Sequence, residues 1–243
     1  MRFWKFLFIS LLWVGSVEAA PVVKSGLMDR APVVKSSDEL DKLVDYLIRP
    51  YKTDEEKAYV LLDWIVNFVD YDAYRYEKMV QDSTSRRDLS DRVPEQGDIL
   101  KTRLGVCSDI SSLYVQMLHL ADMKAEKING CLTTRKWQKG DPCDRPHAWV
   151  AVWMDKQWEL VDPTFAMGQA NAMMGLNSTR GYKKEVKKRE SRRSDTYESR
   201  YRRLLTRWFM TNSKEMARDH QPDDEVWLLK RIKERKNKNL KGS

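Results

Sequence analysis

The apolar positions of this chain follow two different periods. Leu40, Leu43, Val44 and Leu47 recur at the three- and four-residue spacing of a single helix face. Ala58, Leu61, Leu62, Ile65 and Phe68 repeat that spacing, as do Ile110, Leu113, Tyr114, Met117 and Leu118. Three amphipathic helices are expected, with these stripes turned to the core. Ser36 with Glu39, and Thr53 with Glu56, have the spacing of a capping box, in which paired side chains satisfy the free N–H groups of a helix start. From residue 125 the pattern changes. Residues 125–134, 148–153 and 158–161 read as strands, the last two rich in Val and Trp. Helices followed by antiparallel strands predict an α+β domain. Residues 75–96 and 166–195 read as loops, 196–209 as a last helix, and 230–243 as a disordered basic tail.

The first residues bear on the compartment. Arg2 and Lys5 precede an apolar run at 6–14 broken only by Ser10, and Val17-Glu18-Ala19 supplies small residues for cleavage. The run is shorter than the roughly 20 residues of a membrane span, so residues 1–19 read as a signal peptide cleaved near Ala19. An uncleaved anchor is the alternative. No later segment is apolar for long enough to span a bilayer. The mature chain is therefore expected to be secreted or periplasmic. Ala20-Pro-Val-Val-Lys-Ser25 recurs as Ala31-Pro-Val-Val-Lys-Ser36, which makes 20–36 a duplicated linker ahead of a domain at 37–229.

Export changes how the cysteines are read, because paired thiols oxidise there. Cys131 and Cys143 flank a polar, turn-rich stretch and form a candidate disulfide that would leave Cys107 free; two reduced, partly buried thiols are the other reading. The formal charge is +8, yet residues 180–207 alone hold twelve Lys/Arg against four Asp/Glu, and 230–241 hold seven against one. The rest of the chain is thus slightly acidic. Such a tail suits an anionic envelope polymer or surface, or is simply a solvated charged face. No nucleic-acid-binding motif accompanies the charge, so nucleic acid is not expected as a partner. Neither a metal nor a cofactor is expected, since no Cys-x-x-Cys or His-x-x-x-His pair is present.

A nucleophilic thiol must be deprotonated, reachable and paired with a base. Cys107 follows Gly105 and opens the third helix, where the partial positive charge of a helix N-terminus favours a thiolate. The chain has three histidines. His119 lies about 18 Å further along the same helix at 1.5 Å per residue and cannot serve Cys107. His220 sits in a polar Asp-His-Gln-Pro stretch with no strong local signal. His147, at the head of a Val/Trp-rich strand, is the preferred base. If 147–153 and 158–163 form a hairpin with a two-residue loop, the strand period of two puts Asp162 on the face of His147. A turn centred on Asp155-Lys156 makes them diagonal neighbours, and one on Met154-Asp155 sets them directly opposite. A three-residue loop would separate their faces.

Gly105-Val106-Cys107, His147-Ala148-Trp149 and Trp158-x-Leu160-Val161-Asp162-Pro163-Thr164 resemble, in order and spacing, the three core motifs of the transglutaminase-like superfamily. Asp63-Trp64-Ile65, Tyr71-Asp72 and the run from Ile99 to Thr102 are also similar to what precedes the cysteine there. The resemblance covers a core of about 50–165. Trp208-Phe209-Met210-Thr211, His220-Gln221-Pro222-Asp223-Asp224 and Trp227-Leu228-Leu229 resemble the extension of the kyphoscoliosis-peptidase-like branch.

The resemblance implies a papain-like α+β core, with a catalytic helix packed on an antiparallel sheet. It implies a Cys107-His147-Asp162 triad that forms a thioester at an amide bond of a protein or peptide, as a peptidase, amidase or acyltransferase. Trp64 is a candidate oxyanion donor, because an indole N–H can donate to a developing charge, with core packing as its other role. Departures from the family pattern are Asp109-Ile110 after the cysteine, Val150 where Asn is common, and Phe165 where Trp is common. A catalytically silent binding or scaffold module on the same fold is the competing function.

Overall fold

The computed structural model describes residues 21, 23–73, 75, 76, 96–133, 143, 145–167, 205–211 and 216–227. The signal peptide expected at 1–19, the loop at 77–95 and the basic stretches at 180–204 and 230–241 lie outside the described residues. Of the last expected helix only 205–209 is described, with helical residues at 205–208.

Helix α1 spans Leu40–Ile48 and buries Leu40, Leu43, Val44 and Leu47, the stripe read from the sequence. Its start differs from the expectation. Ser36 caps a short 3-10 turn, Ser37–Glu39, without a side-chain bond, and the Glu39 carboxylate instead accepts the Lys35 N–H at 2.9 Å. Helix α2, Asp54–Phe68, opens with the full Thr53/Glu56 capping box. It buries Ala58, Leu61, Leu62 and Ile65, while Phe68 stays 38% exposed and stacks on Trp64 at 5.4 Å. Strand β1, Asp70–Tyr71, pairs in parallel with β2, Leu104–Gly105. Between them lies α3, Gln96–Thr102, a helix that no apolar period announces. Helix α4, Cys107–Leu120, then enters the core on Ile110, Leu113, Tyr114, Met117 and Leu118.

The main sheet is antiparallel, in the order β5-β4-β3-β6, from β3 (Ala125–Leu132), β4 (Pro146–Met154), β5 (Gln157–Val161) and β6 (His220–Pro222). The β4–β5 hairpin pairs Met154 with Gln157 and Trp153 with Trp158. Its two loop residues, Asp155 and Lys156, both hold positive φ, 49° and 65°. That backbone hand matches the twist of the flanking strands, so the tight turn forms without glycine. Of the two registers compatible with a shared His147/Asp162 face, the turn on Asp155-Lys156 is the one adopted.

Helix α4 packs across β3 and β4, with α2 behind it. The fold is thus α+β, with the cysteine-bearing helix laid on an antiparallel sheet. Two features extend the domain beyond the sequence reading. The segment expected as a linker packs onto the body, with Val23, Leu27 and Val34 buried. Its Lys24 N–H donates to the Tyr51 hydroxyl at 2.9 Å, and the Tyr46 hydroxyl donates to the Leu27 carbonyl at 3.2 Å. Its apolar content contributes: three buried side chains, with the two tyrosine hydrogen bonds, help offset the cost of ordering the strap. At the other end, residues 205–211 and 216–227 reach both margins of the sheet. Thr211 bridges to Leu160 of β5, and β6 adds to β3.

Candidate functional site

Cys107 is the first residue of α4, after an extended Val106 (φ −89°, ψ 176°). The close turn into the helix needs Gly105, where a Cβ would lie 2.7 Å from Ile99 Cδ1 and 3.1 Å from Asp109 Cβ. Asp109 accepts the Val106 N–H at 3.1 Å and a guanidinium N–H of Arg75 at 2.6 Å. Polar ties hold this helix end against the sheet. The Ser111 hydroxyl donates to the Ala148 carbonyl at 3.0 Å, and Lys127 of β3 donates to Ser108 and Ser112 at 3.1 Å each. Cys107 is buried and is the free cysteine, because Cys131 and Cys143 are disulfide-bonded with Cα atoms 5.7 Å apart.

His147 stands near the start of β4, facing Cys107 closely enough to share a hydrogen bond with it. Its Nε2 lies 2.8 Å from Asp162 Oδ2. Asp162 follows the end of β5, is fully buried, and accepts the Phe165 N–H on Oδ1 at 2.8 Å. The structure therefore brings together the cysteine, histidine and carboxylate singled out in the sequence. Trp64 is elsewhere in its contacts: its ring stacks on Phe68, and the Arg103 guanidinium lies over it at 5.3 Å.

Sequence reasoning set His220 aside, yet the structure puts it in the same site. Its Nε2 lies 2.9 Å from the same Asp162 Oδ2, and its Nδ1 lies 2.6 Å from Asp219 Oδ1. The ring packs edge-on against Trp149 at 5.1 Å and Phe165 at 5.1 Å, and lies 5.5 Å from the His147 ring. Its signal was present in the resemblance of the His220-Gln221-Pro222 run to an extension. A three-residue strand ending in proline gives no period to read. Tyr71 and Tyr76, 6.1 Å apart, also lie near enough to Cys107 to feel its charge.

The electrostatics follow from burial and pairing. Burial disfavours a charged His147, but Asp162 and then Cys107 outweigh it and push its pKa up to about 10. Asp162 is likewise penalised by burial, and the two imidazoles hold it well below the usual carboxylate range. His220 is raised, because bonds to Asp162 and Asp219 overcome its burial. Tyr71 and Tyr76 are both raised, first by burial and then by Cys107, so each keeps its proton.

Among the described residues, His147, Asp162 and His220 form a group whose ligand atoms all lie within 4.8 Å and could hold a metal ion. The same atoms are engaged at 2.8 and 2.9 Å, which are hydrogen-bond lengths. An ion would have to displace both protons.

The chain is 24% identical to the kyphoscoliosis peptidase of Homo sapiens over 202 residues, 82% of this chain and 25% of that protein. It is 24% identical to the Mus musculus kyphoscoliosis peptidase over 193 residues, covering 78% and 24%. The chain thus spans about a quarter of the length of the curated relatives it matches. Among solved structures it is similar to the periplasmic domain of TgpA from Pseudomonas aeruginosa, at 19% identity and a TM-score of 0.41, covering 61% of this chain and 49% of that one. It is also similar to a TGase at 17% identity and a TM-score of 0.40, covering 52% and 31%. The Transglutaminase-like superfamily itself matches residues 41–163, which include Cys107, His147 and Asp162. The chain belongs to the transglutaminase-like superfamily.

Proposed function

We propose that this chain is an exported cysteine enzyme that opens amide bonds of proteins or peptides through a thioester on Cys107. The observation that carries this reading is the convergence of three separate elements: the start of α4, the start of β4 and the end of β5 meet as Cys107, His147 and Asp162. In the proposed reaction His147 already holds its proton beside Cys107, and the Cys107 sulfur bonds to the acyl carbon as the carbonyl π pair moves onto oxygen. The oxyanion then collapses, the C–N bond breaks, and His147 gives its proton to the leaving amine. Water or a second amine then gives a proton to His147 and attacks the thioester, giving an acid or a new amide and freeing the sulfur beside a protonated His147. Asp162 holds the imidazole through Nε2 and balances its charge, leaving the other ring nitrogen for the sulfur.

Two donors suit the oxyanion. As the first residue of a helix, Cys107 has a main-chain N–H without an i−4 carbonyl partner. The half-buried phenol of Tyr71, which lies near enough to Cys107 to feel its charge, is the second. This reading favours Tyr71, which feels the Cys107 charge, over the Trp64 indole, whose described contacts are ring-face contacts with Phe68 and Arg103. Tyr71→Phe is expected to cut turnover about 10²-fold with little loss of stability. Trp64→Phe is expected to lower stability by about 1–3 kcal/mol and leave turnover within a fewfold. The reverse pattern, read from kinetics and urea melts, would return the assignment to Trp64.

Incubation of wild type and Cys107→Ala with a labelled amine and a protein mixture tests the main proposal. Label incorporated only by wild type means acyl transfer, and fragments formed only by wild type mean hydrolysis. If neither depends on Cys107, the enzyme reading fails and the fold serves as a binding module. Export is supported by the N-terminal sequence, and the basic stretches leave an anionic envelope polymer as the proposed surface partner.

A further inference from the structure

We propose that His220 is a positioning residue of the site: a buried cation, fixed by Asp219, that shares Asp162 Oδ2 with His147 and so sets the orientation and charge balance of the Cys107–His147 pair. The inference rests on the proposed thiol chemistry but adds a residue outside the matched superfamily region, which ends at residue 163.

Geometry requires the charge. His220 Nε2 is 2.9 Å from Asp162 Oδ2 and Nδ1 is 2.6 Å from Asp219 Oδ1, and carboxylate oxygens only accept. Both ring nitrogens must donate, which a neutral imidazole cannot do. The ring is buried and wedged between Trp149, Phe165 and Trp208, so it has no room to turn away. On its far side Asp162 Oδ1 is held by the Phe165 N–H. The carboxylate is thus fixed from three directions, and its one lateral freedom, rotation toward or away from His147, is stopped by His220.

The consequence is electrostatic as well as steric. A second cation beside Asp162 competes with His147 for the carboxylate and lies 5.5 Å from it, ring to ring. It lowers the proton affinity of every nearby group. The titratable groups facing this cluster are Cys107 on α4, Tyr71 on β1, His147 on β4, Asp162 after β5 and Asp219. With His220 present, His147 stays charged beside Cys107 without becoming so strong a base that it cannot release its proton to a leaving group.

The test reads Cys107 itself and needs no substrate. Iodoacetamide alkylation rates of Cys107 are measured from pH 4 to 10 for wild type, His220→Gln, Asp219→Asn and His147→Ala. Near-ultraviolet spectra confirm the fold of each. Glutamine keeps a donor for Asp162 but removes the charge, so the acid limb of the profile should move up by about half a pH unit or more. That is a rate loss of about threefold at a pH on that limb. Asp219→Asn, at a carboxylate that is 44% exposed, should move it the same way by less. A His220→Gln profile shifted downward, or lowered equally at all pH values, would mean packing alone and overturn the proposal. So would a profile that superimposes on wild type while His147→Ala still differs. If His147→Ala also leaves the profile unchanged, the thiol–imidazole reading itself falls.

Discussion

An Asp162→Ala variant is expected to lose about 3–5 kcal/mol of stability and nearly all Cys107-dependent turnover. The large effect has a simple cause. Asp162 is fully buried and accepts three hydrogen bonds, from His147, His220 and the Phe165 main chain. Removing it leaves two buried imidazoles facing each other with no anion between them, and removing one side of a buried charged pair costs on that scale. Turnover should fall by about 10⁴-fold, the size of effect seen when a triad histidine loses its orienting carboxylate. Urea unfolding and a turnover assay check the two parts. A loss under about 1 kcal/mol would show that the imidazoles are neutral in the folded protein.

The same cluster fixes how wild-type stability should respond to pH. Asp162 is depressed in the folded state, so its contribution is present above the unfolded value of about 3.9 and is lost as pH falls. His147 is raised to about 10, so its contribution is full below about pH 6.5 and is lost as pH climbs toward 10. His220 acts in the same direction. Melting temperature should therefore be highest between about pH 4 and 6.5. Both limbs should flatten in Asp162→Ala.

The second large effect is expected at a glycine that carries no chemistry itself but pairs across the sheet with His147. A Cβ on Gly130 would sit 2.2 Å from the Gln221 carbonyl oxygen, 2.6 Å from Trp149 Cη2 and 2.9 Å from Pro222 Cα. Two of those three are backbone atoms of β6 and cannot swing aside. Gly130→Ala should therefore push β6 off β3, at a cost of about 1–3 kcal/mol as an overpacked core site. Because His220 is the first residue of β6, the displacement would also move its ring from Asp162. The alkylation profile of Gly130→Ala should then approach that of His220→Gln. A variant with wild-type melting and a wild-type profile would show that β6 is not held at this crossing.

Much of this was legible before any coordinates. The helical stripes of α1, α2 and α4 are strong periodic signals, and each face fell in the core apart from Phe68 at the last turn of α2. His147 stood out among three histidines at the head of a strand, and Asp162 fell on its face in either two-residue-loop register, while the family resemblance joined both to Cys107. Three features escaped for definite reasons. Helix α3 has seven residues, too few for a period to show. The buried strap of Val23, Leu27 and Val34 looked like a linker, since its repeat and its prolines hide three widely spaced apolar contacts. His220 escaped because its partners are remote. A polar residue reveals its role only through what it touches, and its Asp162 partner lies 58 residues earlier in the chain.

That separation has a kinetic side. The carboxylate at Asp162 waits for a partner 58 residues downstream, and contacts so distant in sequence are slow to close. Until β6 arrives, the margin of β3 offers its unpaired N–H and C=O groups to any extended chain nearby. The late-docking segment that finishes the site therefore also ends the period in which the nascent domain is most prone to pair with its neighbours.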